Sequence, residues 1–165
     1  MTSAGGSLVD RMIGAAFLNV DTFEDVEHDE TATGQAALVV VMVAIAGGIG
    51  AWHHGPFGII AAACSALVGW GVWAGITYLV GTKVFDGEAT WGELLRTLGF
   101  AQAPGILLFL GFFPLLGWIM RLLVPVWMLV AGFIAVRQAL DVDNAKTFFT
   151  VVIGWVVYAV LAMIF

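Results

Sequence analysis

TATGQAALVVVMVAIAGGIGAWHHGPFGIIAAACSALVGWGVWAGITYLVGT, residues 31–82, runs for 52 positions without a Lys, Arg, Asp or Glu. A helix crosses the hydrocarbon core of a bilayer in about 20 residues, so this stretch is too long for one crossing and suits two helices and a turn. Gly55-Pro56 supplies the break, placing a first span at about Gln35–Trp52 and a second at about Phe57–Gly81.

The rest of the chain has the same character. Of its 165 residues, 61% are hydrophobic and 11% charged, with a mean hydropathy of +1.01. Water-soluble domains run nearer 45–50% apolar and about 25% charged. The charges that exist are segregated, with seven of the twelve acids before residue 31. A net charge of −6 without a basic patch argues against nucleic acid as a partner. Cys64 stands alone, so no disulfide framework arises. Met1 to Ser7 lack the positive charge of a secretory leader, which leads us to expect a retained N-terminal segment.

Before the first span, Leu8, Val9, Met12, Ile13, Ala16, Phe17 and Val20 recur at helical spacing. They predict an amphipathic helix over 7–20, lying on the membrane surface or under the bundle. Asp21 is positioned as a cap, and Glu24 to Glu30 read as a solvated acidic linker without the glycine turn of a calcium loop. Beyond the second span, Asp86-Gly87 marks a turn, and Thr90-Trp91-Gly92-Glu93 has the pattern of a capping box. A third span is expected at about Phe100–Pro114, drawing on the preceding helix for length, and Pro114-Leu115-Leu116-Gly117 as a tight turn. The fourth is expected at about Arg121–Leu140, with Pro125 near its start. Asp143 then caps a fifth at about Ala145–Phe165. The fold class is therefore all-α: a polytopic membrane protein of five transmembrane helices plus an N-terminal amphipathic helix. It divides into an N-terminal cytoplasmic amphipathic and acidic segment, 1–33, and a five-helix membrane domain, 34–165.

Basic residues set the orientation. With the N-terminus inside, the inner segments hold Arg11, Lys83, Arg96, Arg137 and Lys146, whereas the outer turns hold Arg121. That bias predicts a cytoplasmic N-terminus and an external C-terminus in a bacterial inner membrane.

Residues 90–105, TWGELLRTLGFAQAPG, combine a short helix, a Gly-aromatic-Ala step and a proline. With Val126-Trp127-Met128-Leu129, Ala135 to Leu140, Ala145-Lys146 and the early Leu18 to Phe23, this pattern resembles the Yip domain family of five-span membrane proteins, as a small bacterial member. The resemblance covers roughly residues 15–165. It implies the five-span fold and a role as membrane adaptor or organiser, and implies no substrate. Eukaryotic members bind Rab-type GTPases. The aspartate-leucine-aromatic-glycine-proline motif before the first span is missing here, so the resemblance does not extend to GTPase binding.

No span interior holds Asp, Glu or Lys, and catalytic or phosphate-binding patterns are missing. No enzyme activity, cofactor or metal is expected. His53 and His54 read as turn residues rather than ligands, since adjacent side chains diverge and no other ligand stands near them. Arg96, Glu93, Arg137 and Lys146 share the inner face, where they are expected to pair with one another rather than with headgroups. Seven tryptophans are notable in so short a chain. Trp52, Trp91 and Trp118 fall at the interfaces, whereas Trp70, Trp73, Trp127 and Trp155 fall mid-span. The latter four either pack within the bundle or face a lipid, quinone, pigment or partner. Small residues at intervals of four, among them Gly71 and Gly75, permit close helix approach, more readily within the chain than against a partner. Trp70, Trp73, Trp127, Trp155, Gly71 and Gly75 are thus the candidate partner- or lipid-facing residues. The expected partners are membrane lipids and other integral membrane proteins. The reading is a non-enzymatic adaptor or accessory subunit of a larger complex; the alternative is a small transporter or pore-forming homo-oligomer built on the broken third and fourth spans.

Overall fold

The computed structural model describes residues 6–51 and 55–164. Seven α-helices follow in order: α1 Leu8–Ala16, α2 Val20–His28, α3 Ala32–Ala51, α4 Gly55–Val84, α5 Trp91–Phe100, α6 Pro114–Leu140 and α7 Asn144–Ile164. A 3-10 segment, Ala103–Phe112, lies between α5 and α6. Among the described residues, four stretches are long and apolar enough to cross a membrane: Ala32–Ile49, Ala63–Val84, Trp91–Phe112 and Leu115–Leu140. The 21 residues of α7 form a further apolar helix, about 30 Å long at 1.5 Å per residue and so matched to the hydrocarbon core. The molecule is a polytopic helical membrane protein. The turn at residues 52–54, with Trp52, His53 and His54, lies outside the described residues.

The third span draws on the preceding helix for its length, as expected, and so starts at Trp91 rather than about Phe100. It comprises α5 and the 3-10 segment together, with a break at Ala101-Gln102. Pro104 has no amide hydrogen, so the α-helical ladder cannot continue through it. The chain tightens instead, Gly105 N donating to Gln102 O at 2.7 Å. The fourth span begins at Pro114 rather than Arg121, which makes α6 27 residues long. Pro114 does not lie in a tight turn; it occupies the first turn of the helix, where the missing amide costs nothing. Pro125 then falls inside the helix rather than near its start.

Caps fix the helix starts. Thr90 Oγ1 accepts from Glu93 N at 3.2 Å, and Glu93 Oε2 accepts from Thr90 N at 2.8 Å, forming the expected capping box. Asp143 Oδ1 accepts from Ala145 N and Lys146 N at the start of α7. These amides, Lys146 first, hold the Asp143 carboxyl below its ordinary range. Asn19, not Asp21, caps α2.

The buried centre is built on α3, where Ala36, Val39, Val40 and Val43 keep one helical face. Against it pack α5 and the 3-10 segment. Close approach depends on glycine: a Cβ at Gly99 would stand 2.7 Å from Ala36 Cβ, and one at Gly105 2.5 Å from Val43 Cγ1. Outward, Val68, Leu122, Val126 and Val156 are exposed, as suits side chains solvated by lipid rather than water.

The acidic segment is not a solvated linker. It forms α2, whose Phe23 and Val26 are fully buried against the bundle. Arg11 of α1 is buried and joins it, donating Nη2 to Asp25 Oδ2 at 2.9 Å and to Asp29 Oδ2 at 2.6 Å, and Nη1 to Gln35 Oε1 at 3.2 Å. The apolar stripe of α1 is wider than the part of it that packs against the bundle. Leu8 and Met12 pack inward, whereas Val9, Ile13 and Phe17 are exposed.

Candidate functional site

A cavity of about 450 Å³ opens on the side of the bundle, between α4, the α5 break, α6 and α7. Its volume lies in the roughly 300–1,000 Å³ range of small-molecule pockets. From α4 come Ser65, Gly69, Trp70 and Trp73; from the third span, Leu98, Ala101 and Gln102; from α6, Pro125, Met128 and Gly132; from α7, Trp155.

Trp70 is buried, and its Nε1 donates to Leu95 O at 3.0 Å, tying α4 to α5. Trp73 fits because both neighbours opposite it are glycines. A Cβ at Gly132 of α6 would lie 3.4 Å from its Cη2, and one at Gly154 of α7 would lie 4.0 Å from its Nε1. That indole nitrogen is buried and has no hydrogen-bond partner among the described residues; neither have the hydroxyls of Thr77 and Thr150. Trp155 is 62% exposed and forms the rim. Three of the four mid-span tryptophans therefore gather at one cavity. The fourth does not: Trp127 points elsewhere on α6, where Nε1 donates to Ala16 O of α1 at 2.7 Å.

Gly71 does not serve the internal packing expected of it, and Gly75 serves it only loosely. A Cβ at Gly71 meets nothing within 4 Å, and one at Gly75 meets Trp91 Nε1 at 3.7 Å. Gly71 thus lies on a side of α4 left open among the described residues, whereas Gly75 lies beside Trp91 at the start of α5. Close internal approaches occur instead at Gly99 and Gly105, glycines that carry the family resemblance but not a packing expectation. Gln102 was not among the expected site residues, although a polar residue in an apolar run close to a proline was the signal available for finding it.

At the end of the bundle where α2 docks, Arg96 is not paired with Glu93 among the described residues. It is buried, and its Nε donates to Val26 O at 2.9 Å and Glu27 O at 3.0 Å, with Nη2 also on Glu27 O. The guanidinium thus closes the C-terminal end of α2, where carbonyls lack helical partners. Gln138 Nε2 donates to Glu24 Oε1 at 3.0 Å from the end of α6. Burial pushes the Glu27 carboxyl up to about 7, helped by Asp141, Glu93 and Glu24, while His28 acts in the opposite direction. Asp29 is held below its ordinary range by the Thr31 hydroxyl and then by Arg11. Among the described residues no three His, Cys, Asp or Glu side chains converge as metal ligands would. The arrangement is a docked amphipathic segment, with the cavity placed higher in the bundle.

The family model for the Yip1 domain matches residues 14–165. No curated protein and no solved structure matches the chain.

Proposed function

From the premise that the chain belongs to the Yip1 domain family, we propose that it is a non-enzymatic organiser of other integral membrane proteins, docking on their helices through the open side of α4. The observation that carries this reading is Gly71-Val72-Trp73-Ala74-Gly75. A glycine pair four residues apart lets a second helix approach closely. Among the described residues nothing takes up that approach at Gly71, and at Gly75 only the Trp91 indole edge comes near, at 3.7 Å. Exposed Val68 and Val72 flank it and supply the packing surface. In a bilayer, association gains little from apolarity, so small outward residues are a better sign of a docking face than exposed valine or leucine.

The test is extraction of the full chain in mild detergent, followed by mass spectrometry of what remains bound. A stoichiometric membrane partner is expected, and recovery falls with Gly71→Leu while the chain stays folded. A clean monomer, or recovery insensitive to Gly71→Leu, removes the proposal. The same reading puts the N-terminus in the cytoplasm of a bacterial cell. A reporter at Asp143 then reads cytoplasmic and one at His54 external, and the opposite pair of results overturns it.

A second reading, a small transporter, draws on the break at Ala101-Gln102. Discontinuous spans lining a mid-membrane cavity are the construction used for substrate sites in transporters. Flux across liposomes bearing the purified chain tests it, and flux indistinguishable from protein-free liposomes eliminates it.

A further inference from the structure

The cavity between α4, the third span, α6 and α7 is not explained by helix docking, because Gly71 and Gly75 are not among the residues that line it. Its depth is defined by the chain. Trp73, Gln102, Met128 and Trp155 each stand within one residue of the midpoint of Ala63–Val84, Trp91–Phe112, Leu115–Leu140 and α7. The cavity therefore opens sideways at mid-membrane, where the surroundings are hydrocarbon.

Gln102 makes it more than a crevice for lipid tails. Its half-buried side chain lines a space at the centre of the spans, a space also lined by Trp73, whose buried Nε1 has no hydrogen-bond partner among the described residues. An amide facing hydrocarbon without a partner is strongly disfavoured. An acyl chain offers it nothing. No charged side chain lines the cavity, so the complementary molecule is neutral. Indole faces from Trp70, Trp73 and Trp155 favour a flat ring, which stacks on aromatic walls. The lateral opening leaves room for an apolar tail to extend into the bilayer.

We propose that this cavity binds a neutral, lipid-soluble molecule with a planar ring bearing carbonyl or hydroxyl oxygens and an apolar tail, the chemistry of an isoprenoid quinone or quinol, with the Gln102 amide hydrogen-bonded to a ring oxygen. The site takes up and holds the molecule; no electron transfer is part of the assignment. It stands apart from the open side of α4, so substitutions at Gly71 leave it intact.

The test uses the purified full chain in lipid nanodiscs, titrated with a decyl-substituted benzoquinone and read by quenching of tryptophan emission and by native mass spectrometry. A decyl alkane serves as the tail-only competitor. Saturable binding of one molecule per chain is expected. Loss of one neutral hydrogen bond corresponds to about threefold to tenfold weaker binding for Gln102→Leu. Trp155→Leu, at an exposed rim position, weakens binding as well without disturbing the packing, and Trp127→Phe leaves it unchanged. Quenching that rises linearly as in protein-free nanodiscs, equal affinity in Gln102→Leu, or displacement by the alkane as readily as by unlabelled quinone would each overturn the assignment.

Discussion

Substituting alanine at Gly99 and, separately, at Gly71 tests the central crossing of the fold. At Gly99 the added methyl would stand 2.7 Å from Ala36 Cβ and 3.2 Å from both Ala36 Cα and O. Carbon atoms in contact prefer about 3.5–4.0 Å, so α3 and α5 must separate by about 1 Å. No side chain can rotate away, because every atom met belongs to the backbone of α3 or is fixed directly to it. Overpacking of this kind costs about 1–3 kcal/mol. Gly→Ala in a helix also gains up to about 1 kcal/mol from propensity, which obscures a single measurement. Gly71→Ala supplies that gain alone, since its methyl meets nothing within 4 Å. The difference between the two variants thus isolates the crossing, at about 1–3 kcal/mol. For a chain of this length roughly 2–4 °C of Tm accompanies each kcal/mol, so Gly99→Ala is expected to melt about 2–12 °C below Gly71→Ala. The assay is thermal unfolding in one detergent, followed by tryptophan emission. Equal melting temperatures would refute the placement of Gly99 against Ala36.

Glu27 makes the docking of α2 depend on pH. Its carboxyl rises from 4.5 to about 7 on folding, so the folded state favours the protonated form. The contribution is fully present below pH 4.5 and is lost as pH climbs through 7, amounting to at most about 3 kcal/mol. Tm is expected to fall between pH 5 and pH 8 in the wild type and to change less in Glu27→Gln; identical profiles would contradict the burial of this carboxyl. Trp127→Phe removes the hydrogen bond to Ala16 O at 2.7 Å, worth about 1 kcal/mol. Faster amide exchange is expected in α1 with α3 to α7 unchanged, and unaltered exchange in α1 would show that the indole does not hold it.

What the sequence reveals of this fold follows from what a bilayer rewards. The uncharged run at 31–82 and the caps at Thr90 and Asp143 are local facts, and the helices begin and end near where these residues place them. The third and fourth spans were less legible, because Pro104 and Pro114 carry the same breaker signal while one tightens a span and the other starts one. The acidic segment misled for a different reason. Phe23 and Val26 are few among seven other residues in α2, and the partner that holds its acids, Arg11, lies outside that helix. The tryptophan site was half legible: spacing identifies Trp70, Trp73 and Trp155 as mid-span, but only the fold separates them from Trp127. The deepest difficulty is physical. In water, periodic apolarity shows which face of a helix is buried; α3 and α4 are apolar all round, so that signal vanishes. Burial in this bundle instead follows size, as Ala36 against Gly99 and Val43 against Gly105 show. A small residue marks a close approach without revealing what approaches, and so a glycine signifies an internal crossing at Gly99 and an open face at Gly71. That ambiguity makes the paired alanine substitutions the measurement on which both the fold and the docking face depend.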